Sequence, residues 1–279
     1  MSRQPPPTPR AGMRLGPYLL ESVLGEGSMG IVFRASHENG TVVALKVLRP
    51  ELSHDDGYRR RFEREGRIAS GLAHRHLVEV VDTGEADGWT YLASRYVAGE
   101  SLAERLGREG PMPVDEVVRL AGEVGTALDT LHASELVHRD VKPSNVMLAE
   151  SGAELTDFGV ARGTADTVLT APGRVVGTLD YLAPEVIRGQ PAEAPADVYA
   201  LGCLLYECIA GQPPFGSRPF AEAAVAHLSE EPPDPSPTRG DLPRQFWTAL
   251  RHGLAKDPDD RPPTATAYAL MLRVSARPS

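Results

Sequence analysis

The sequence predicts an α+β protein of two lobes, a small antiparallel sheet with one helix followed by a larger, mainly helical part. Three observations carry this. The chain has 279 residues, 41% of them hydrophobic, enough for one large core or two smaller ones, with two the more natural division. Between residues 18 and 94 most apolar residues alternate in short runs cut by turn signals, the mark of half-buried strands. From Pro113 onward they recur at three- and four-residue spacing, the mark of helices packed along one face.

The elements follow in order. Residues 1–14, with Pro5-Pro6-Pro7-Thr8-Pro9, hold too little apolar material to pack and read as a disordered leader. Strands are expected over 18–24, 30–35 and 41–48, the last two joined across Glu38-Asn39-Gly40. A helix over 56–72 places Phe62, Glu65, Ala69 and Leu72 on one face. Gly66 and Gly71 each cost such a helix about 1 kcal/mol relative to alanine, so it is expected to be only marginally held. Strands at 77–82 and 89–94, joined across Ala86-Asp87-Gly88, complete a five-stranded sheet. Beyond Pro113, Val117, Leu120, Val124, Leu128 and Leu131 form a helical stripe. A short strand at 146–148 precedes a threonine- and glycine-rich segment, 157–185, that ends in Ala183-Pro184-Glu185. The stretch from Asp197 to Ile209 is so apolar that it must be buried on most sides. A loop at 232–237 and a last helix over 265–274 close the chain, which has no internal repeat.

Composition excludes several classes of function. The balance of 29 basic and 38 acidic residues, a net charge of -9, argues against nucleic acid or an anionic membrane as an obligatory partner. The only cysteines, Cys203 and Cys208, cannot face one another within a helix and read as small core residues, which fits a reducing, cytoplasmic setting. No apolar run reaches the roughly 18 residues of a membrane span, and the N-terminus lacks an apolar signal core. An anchor, if there is one, would lie outside this sequence.

Chemistry-bearing residues concentrate in four places. Gly25-Glu26-Gly27-Ser28-Met29-Gly30, followed by Val32, is a G-x-G-x-x-G-x-V string whose glycines let backbone amides approach phosphate oxygens. Alternating residues follow it, which argues for a second strand and against the strand-to-helix turn of a dinucleotide site. In Val43-Ala44-Leu45-Lys46, Ala44 and Lys46 share a face: small Ala44 leaves room for an adenine, and Lys46 needs a partner, for which Glu65 in the inward helix stripe is the candidate. The loop His138-Arg139-Asp140-Val141-Lys142-Pro143-Ser144-Asn145 offers a proton acceptor in Asp140, a phosphate-holding cation in Lys142 and an amide oxygen for magnesium in Asn145. Asp157-Phe158-Gly159 offers a metal-holding carboxylate beside a flexible joint. Each string alone has a bland reading, a solvated loop or a snorkelling lysine. Together, in this order and spacing, they leave chance remote.

In these motifs the chain resembles the protein kinase superfamily over roughly residues 15–273. Lys142 within H-R-D-x-K-x-x-N and the pair Gly177-Thr178 resemble the serine/threonine kinases, and the compact loops with an Ala, Arg, Gly and Pro bias look like their bacterial members. The resemblance implies a bilobal kinase fold: small lobe 15–94, hinge 95–99, large lobe 100–274 and tail 275–279. It implies transfer of the γ-phosphate of ATP to Ser or Thr hydroxyls of proteins, with Mg2+, or Mn2+ as an alternative, held by Asn145 and Asp157. Gly25, Glu26, Gly27, Ser28, Gly30, Val32 and Ala44 would surround the nucleotide, with Lys46, oriented by Glu65, on its α- and β-phosphates. The backbone of Arg95 and Val97 would read the adenine edge, Met147 would lie under it, and small Ser94 would stand at its rear. Arg95 departs from the acid frequent at that position, which matters little to a backbone contact. Asp140 is implied as the base and Lys142 as the charge stabiliser, with Thr178 touching both. Thr167 and Thr170, ahead of Thr164, are expected phosphorylation sites with Arg139 as a counter-cation, and Arg261 is the expected buried partner of Glu185. Expected partners are ATP, protein substrates and a second copy of the chain through the small lobe. Two other classes fit the residues less well. A pseudokinase would have lost one of Lys46, Asp140, Asn145 or Asp157, and a small-molecule phosphotransferase would not need Ala183-Pro184-Glu185 or Thr178.

Overall fold

The computed structural model describes residues 8–27, 30–53, 56–157 and 179–277. It divides into two compact units, Met1–His74 with Val78–Ala98, and Arg75–Leu77 with Gly99–Ser279.

The first unit is an antiparallel sheet of β1 (Arg14–Leu15), β2 (Tyr18–Glu26), β3 (Gly30–His37), β4 (Val42–Leu48), β5 (Val80–Ala86) and β6 (Trp89–Arg95), in the order β1-β2-β3-β4-β6-β5. The sheet thus has six strands, not five. The extra one comes out of the supposed leader, which is pinned before residue 14: Gly12 N–H donates to Leu20 O (2.7 Å) and Leu20 N–H to Met13 O (2.9 Å). Leu15 is buried in the core of this sheet and Met13 packs against it. Alternation does the rest. Phe33, Ala35, Val43, Leu45 and Val47 are buried in one core, while Val32, Ala44 and Lys46 are half-buried on the opposite face. The hairpin between β5 and β6 turns through Asp87 (φ 53°) and Gly88 (φ 81°), left-handed at both residues as a two-residue turn requires.

Two helices follow β4: α1 (Pro50–Ser53) and α2 (Asp56–Ala69). Phe62 and Ala69 of α2 are buried, with Tyr58, and Glu65 is half-buried, but the helix ends at Ala69 and leaves Leu72 of the expected stripe outside it. Gly71 lies beyond the last helical residue, and Gly66 is buried where an added Cβ would come within 2.7 Å of Thr83 Cγ2 on β5. Gly66 is the condition for close helix–sheet packing.

The second unit carries a three-stranded sheet, β7 (Glu100–Ser101), β8 (Val146–Ala149) and β9 (Gly152–Leu155). Its helices are α3 (Leu102–Glu109), α4 (Val114–Ala133), α5 (Pro184–Ile187), α6 (Ala194–Ala210), α7 (Phe220–Ser229), α8 (Arg244–Gly253) and α9 (Ala265–Ser275), with single 3-10 turns at Pro143–Asn145, Leu179–Tyr181 and Pro258–Asp260. A reciprocal capping box starts α3: Glu104 N–H donates to Ser101 Oγ (3.2 Å) and Ser101 N–H to Glu104 Oε2 (2.7 Å). The whole predicted stripe of α4 is buried. α6, apolar all round, sits against α4, α8 and α9, and Cys203 and Cys208 are fully buried free thiols within it. Among the described residues no helix is long and apolar enough to cross a membrane.

Candidate active site

In the first unit, pairing fixes which residues share a face. Val32 lies opposite Lys46 and Lys46 opposite Leu92; Arg34 lies opposite Ala44 and Ala44 opposite Ser94. Val32, Ala44, Lys46 and Ser94 therefore form two adjacent cross-strand rows on the side of the sheet away from its buried core. Ser94 Oγ donates to Ala44 O (3.3 Å), which turns that small side chain back onto the sheet. In the glycine string, Gly25 and Gly27 have open space where a Cβ would stand, whereas a Cβ on Gly30 would run into Val47 O at 2.0 Å. Gly30 is thus demanded by the sheet itself, and Gly25 and Gly27 are the two whose bareness the fold does not use. Glu65 is half-buried on α2. Arg95 N–H is committed to Glu79 O (2.9 Å), so any reading of a base by Arg95 falls to its carbonyl. Val97 is buried.

In the second unit the loop before Pro143–Asn145 is held from beneath by one carboxylate. Asp197, only 1% exposed at the N-terminal end of α6, accepts from His138 N–H (2.8 Å) and Arg139 N–H (2.9 Å), and His132 Nε2 lies 2.8 Å from its Oδ2. A buried charge is tolerable when its lone pairs are filled in this way. Arg139 takes a left-handed φ of 63°, a costly conformation for a non-glycine residue that the Asp197 bonds hold in place. His138 is fully buried, and desolvation holds its pKa below the ordinary imidazole value. It is therefore neutral, and its tautomer follows from its bonds: Nδ1 accepts from Asp140 N–H (3.2 Å), so Nε2 carries the proton and donates to Thr156 O (3.0 Å).

Asp140, Lys142 and Asn145 meet on that support. Lys142 Nζ lies 2.9 Å from Asp140 Oδ2, and Asn145 Nδ2 donates both to the same oxygen (3.0 Å) and to Asp140 O (2.8 Å). Both amide hydrogens of Asn145 are thereby used, and its Oδ1 is left as a hard oxygen donor. Asn145 O accepts from Thr156 N–H (2.9 Å), one residue before Asp157, itself left-handed at φ 58°. One amide oxygen and one carboxylate suit a magnesium ion that takes its remaining ligands from phosphate and water. Met147, half-buried on β8, pairs with Ser101. The pair Glu185–Arg261 is bidentate at 2.7 Å on both oxygens, with side chains 8% and 0% exposed, and Arg261 also donates to the carbonyls of Ala255, Pro195 and Lys256. Ser28, Phe158, Gly159, Thr164, Thr167, Thr170 and Thr178 lie outside the described residues.

Asp197 and His132 were not singled out as site residues from the sequence. The signal was available: Asp197 opens the most apolar helix of the chain, and a carboxylate in a buried stripe needs a partner, the same reasoning that selects Glu65.

An antiparallel sheet with a lysine-bearing face and an Asp-Lys-Asn loop held on a helical support are the parts of a protein kinase. The chain belongs to the protein kinase family: the model of the protein kinase domain matches residues 18–270. It is 41% identical over 254 residues to the serine/threonine-protein kinase PknE of Mycobacterium bovis, covering 90% of this chain and 45% of that protein. To PknH of Mycobacterium tuberculosis it is 40% identical over 263 residues, covering 94% of this chain and 42% of that protein. The chain thus spans less than half the length of these relatives. Among solved structures, the PknI kinase domain of Mycobacterium tuberculosis superposes with a TM-score of 0.77 at 32% identity, over 96% of this chain and all of that one.

Proposed function

We propose that this chain is an ATP-dependent protein serine/threonine kinase that passes the γ-phosphate of ATP to a Ser or Thr hydroxyl. The observation that carries the reading is the convergence of Lys142 and Asn145 on Asp140 Oδ2, at 2.9 and 3.0 Å. Two donors hold the carboxylate in one orientation, as a proton acceptor needs. The substrate hydroxyl oxygen attacks the γ-phosphorus, the bond to the β-phosphate oxygen breaks, and the hydroxyl proton passes to Asp140. Lys142 neutralises charge on the transferred group, Lys46 takes the α- and β-phosphates with Glu65 as its orienting residue, and Gly25 and Gly27 let backbone reach them. Asn145 Oδ1 and Asp157 would hold a divalent cation such as magnesium, which would supply charge neutralisation at the phosphate oxygens; manganese shares the preference for oxygen ligands.

The finer assignments belong to the same proposal: adenine read by Arg95 O and Val97 with Met147 beneath it, Thr178 beside Asp140, and Thr167 or Thr170 modified with Arg139 as counter-cation. So do a cytoplasmic location, a homodimer through the first unit and the absence of a nucleic-acid partner. Incubation with γ-labelled ATP and magnesium, followed by phosphosite mass spectrometry on the chain and on added protein, tests the activity. Label on serine or threonine that disappears with Asp157→Asn or Lys46→Met supports it, and label that persists in either variant refutes it.

A further inference from the structure

Gly122 and Gly125 both lie in the middle of α4, and the fold asks for only one of them. A Cβ on Gly125 would come within 3.0 Å of Ala265 O at the start of α9, so the contact between the two helices needs that position bare. A Cβ on Gly122 would meet nothing within 4 Å. Glycine is, after proline, the residue least suited to a helix interior, and nothing among the described residues fills the space that Gly122 leaves.

That space belongs to a groove of about 430 Å³ along α4. α9 starts beside the end of α4, where Asp129 accepts from Ala265 N–H (2.9 Å) and Thr266 N–H (3.0 Å), and runs back to bring Arg273 to the groove. Val118, Gly122 and Thr126 lie on one row of the helix and give a floor about 12 Å long. Asp115, Arg119 and Glu123 form the row beside it. Ala153 holds the Glu123 side in place: its N–H donates to Glu123 Oε2 (2.8 Å), and its carbonyl accepts from Nδ1 of the buried His76 (2.8 Å). Glu123 is thus committed, but its neighbours are not. The side chain of Arg273 has no ion pair or hydrogen bond among the described residues, Asp115 has no partner there either, and Arg119 has only a 4.0 Å approach to Glu123.

We propose that this groove docks an extended segment of a partner protein, one that carries an acidic side chain for Arg119 and Arg273 and a basic one two residues away for Asp115. The dimensions agree. About four residues of extended chain span about 13 Å, the length of the floor. Side chains two apart in such a chain project to the same side about 7 Å from one another, close to the single turn, about 6 Å, between Asp115 and Arg119. Bare Gly122 lets the backbone of the segment lie directly on the helix. Two uncommitted arginines against one uncommitted carboxylate make the acid the stronger requirement. The chain's own residues 1–7 hold Arg3 and no acid, so they do not match the groove. None of its lining residues belongs to the proposed phosphotransfer machinery.

The test is fluorescence anisotropy of short labelled peptides on the whole chain, without ATP. The probes hold Glu-Ala-Lys or Lys-Ala-Glu within alanine and glycine, with Gln-Ala-Gln as the control, and none carries a side-chain hydroxyl. One order of charges is expected to bind about tenfold tighter than the control, and Arg273→Glu to lose that advantage. Gly122→Leu should abolish binding while raising the melting temperature, because leucine fills the floor and is the better helix former. A purely structural role for Gly122 would not separate these two readings. Lys46→Met, which removes a residue of the proposed reaction, should bind the probes like wild type, so docking and phosphotransfer fail independently. Charged probes that bind no tighter than the control overturn the proposal, as does wild-type binding by either groove variant. If Gly122→Leu does not fold, Arg273→Glu at its exposed position decides alone. A wild-type chain that sediments as a dimer and becomes monomeric with Arg273→Glu would seat a second copy in the groove and overturn the partner proposed here.

Discussion

Two charge pairs of the second unit show what burial does to the same chemistry. Glu185–Arg261 is sealed, bidentate and surrounded by carbonyls that take the remaining guanidinium hydrogens. Asp140–Lys142 is a single contact between side chains 18% and 23% exposed. The sealed pair can exchange partners with nothing and so works as a rivet at the end of the 157–185 segment. The open pair is the one at which the proposed mechanism puts the substrate hydroxyl and the transferred phosphate. Stability is therefore expected to depend on the first pair and chemistry on the second.

The largest expected effect is on the open pair. Asp140→Asn keeps the shape and removes the proposed base, which should lower kcat/KM by about 10²- to 10⁴-fold, read by phosphotransfer to a Ser/Thr peptide, with little change in unfolding free energy. Next is the sealed pair. Arg261→Met strands a buried carboxylate and should cost about 3 to 5 kcal/mol in denaturant unfolding. Adding Glu185→Gln should recover part of that, and a double variant no better than the single would mean that Arg261 acts through its carbonyl contacts alone.

A smaller effect follows from His227, whose pKa burial lowers to about 3. Above pH 6.5 the ring is neutral folded or unfolded, and burial carries no pH-dependent cost. As pH falls from about 6.5 toward 3, the unfolded chain takes up a proton that the native chain refuses, and stability drops by up to about 1.4 kcal/mol per pH unit. His227→Phe should flatten this slope in pH-dependent unfolding. His138, also buried neutral, contributes in the same direction. The smallest effect is at Gly66. The approach of Thr83 predicts that Gly66→Ala costs about 1 kcal/mol despite its better helix propensity. Gly66→Ala with Thr83→Ser, which removes the clashing methyl, should recover it, as thermal unfolding can check.

How much was legible in the sequence divides along similar lines. Lys46, Asp140, Asn145 and Asp157 could be singled out because each stands in a short motif, and the Glu185–Arg261 pair because the resemblance carried it. The role of Asp197 was not drawn out, since its three partners lie 58 to 65 residues away and only packing joins them. The packing roles of Gly66 and Gly30 were not legible for the same reason: propensity and motif speak for one segment, whereas Thr83 and Val47 O come from neighbouring strands. The sixth strand was missed because a two-residue element, Arg14–Leu15, is too short to show a period.

The most direct measurement puts Asp140→Asn and Arg261→Met through both assays, phosphotransfer from magnesium ATP and denaturant unfolding, on the same preparations. The account predicts a crossing: Asp140→Asn loses at least about a hundredfold in kcat/KM with its unfolding midpoint kept, and Arg261→Met loses its midpoint while its folded fraction still transfers phosphate. Asp140→Asn with wild-type turnover, or with a midpoint as low as that of Arg261→Met, would contradict it.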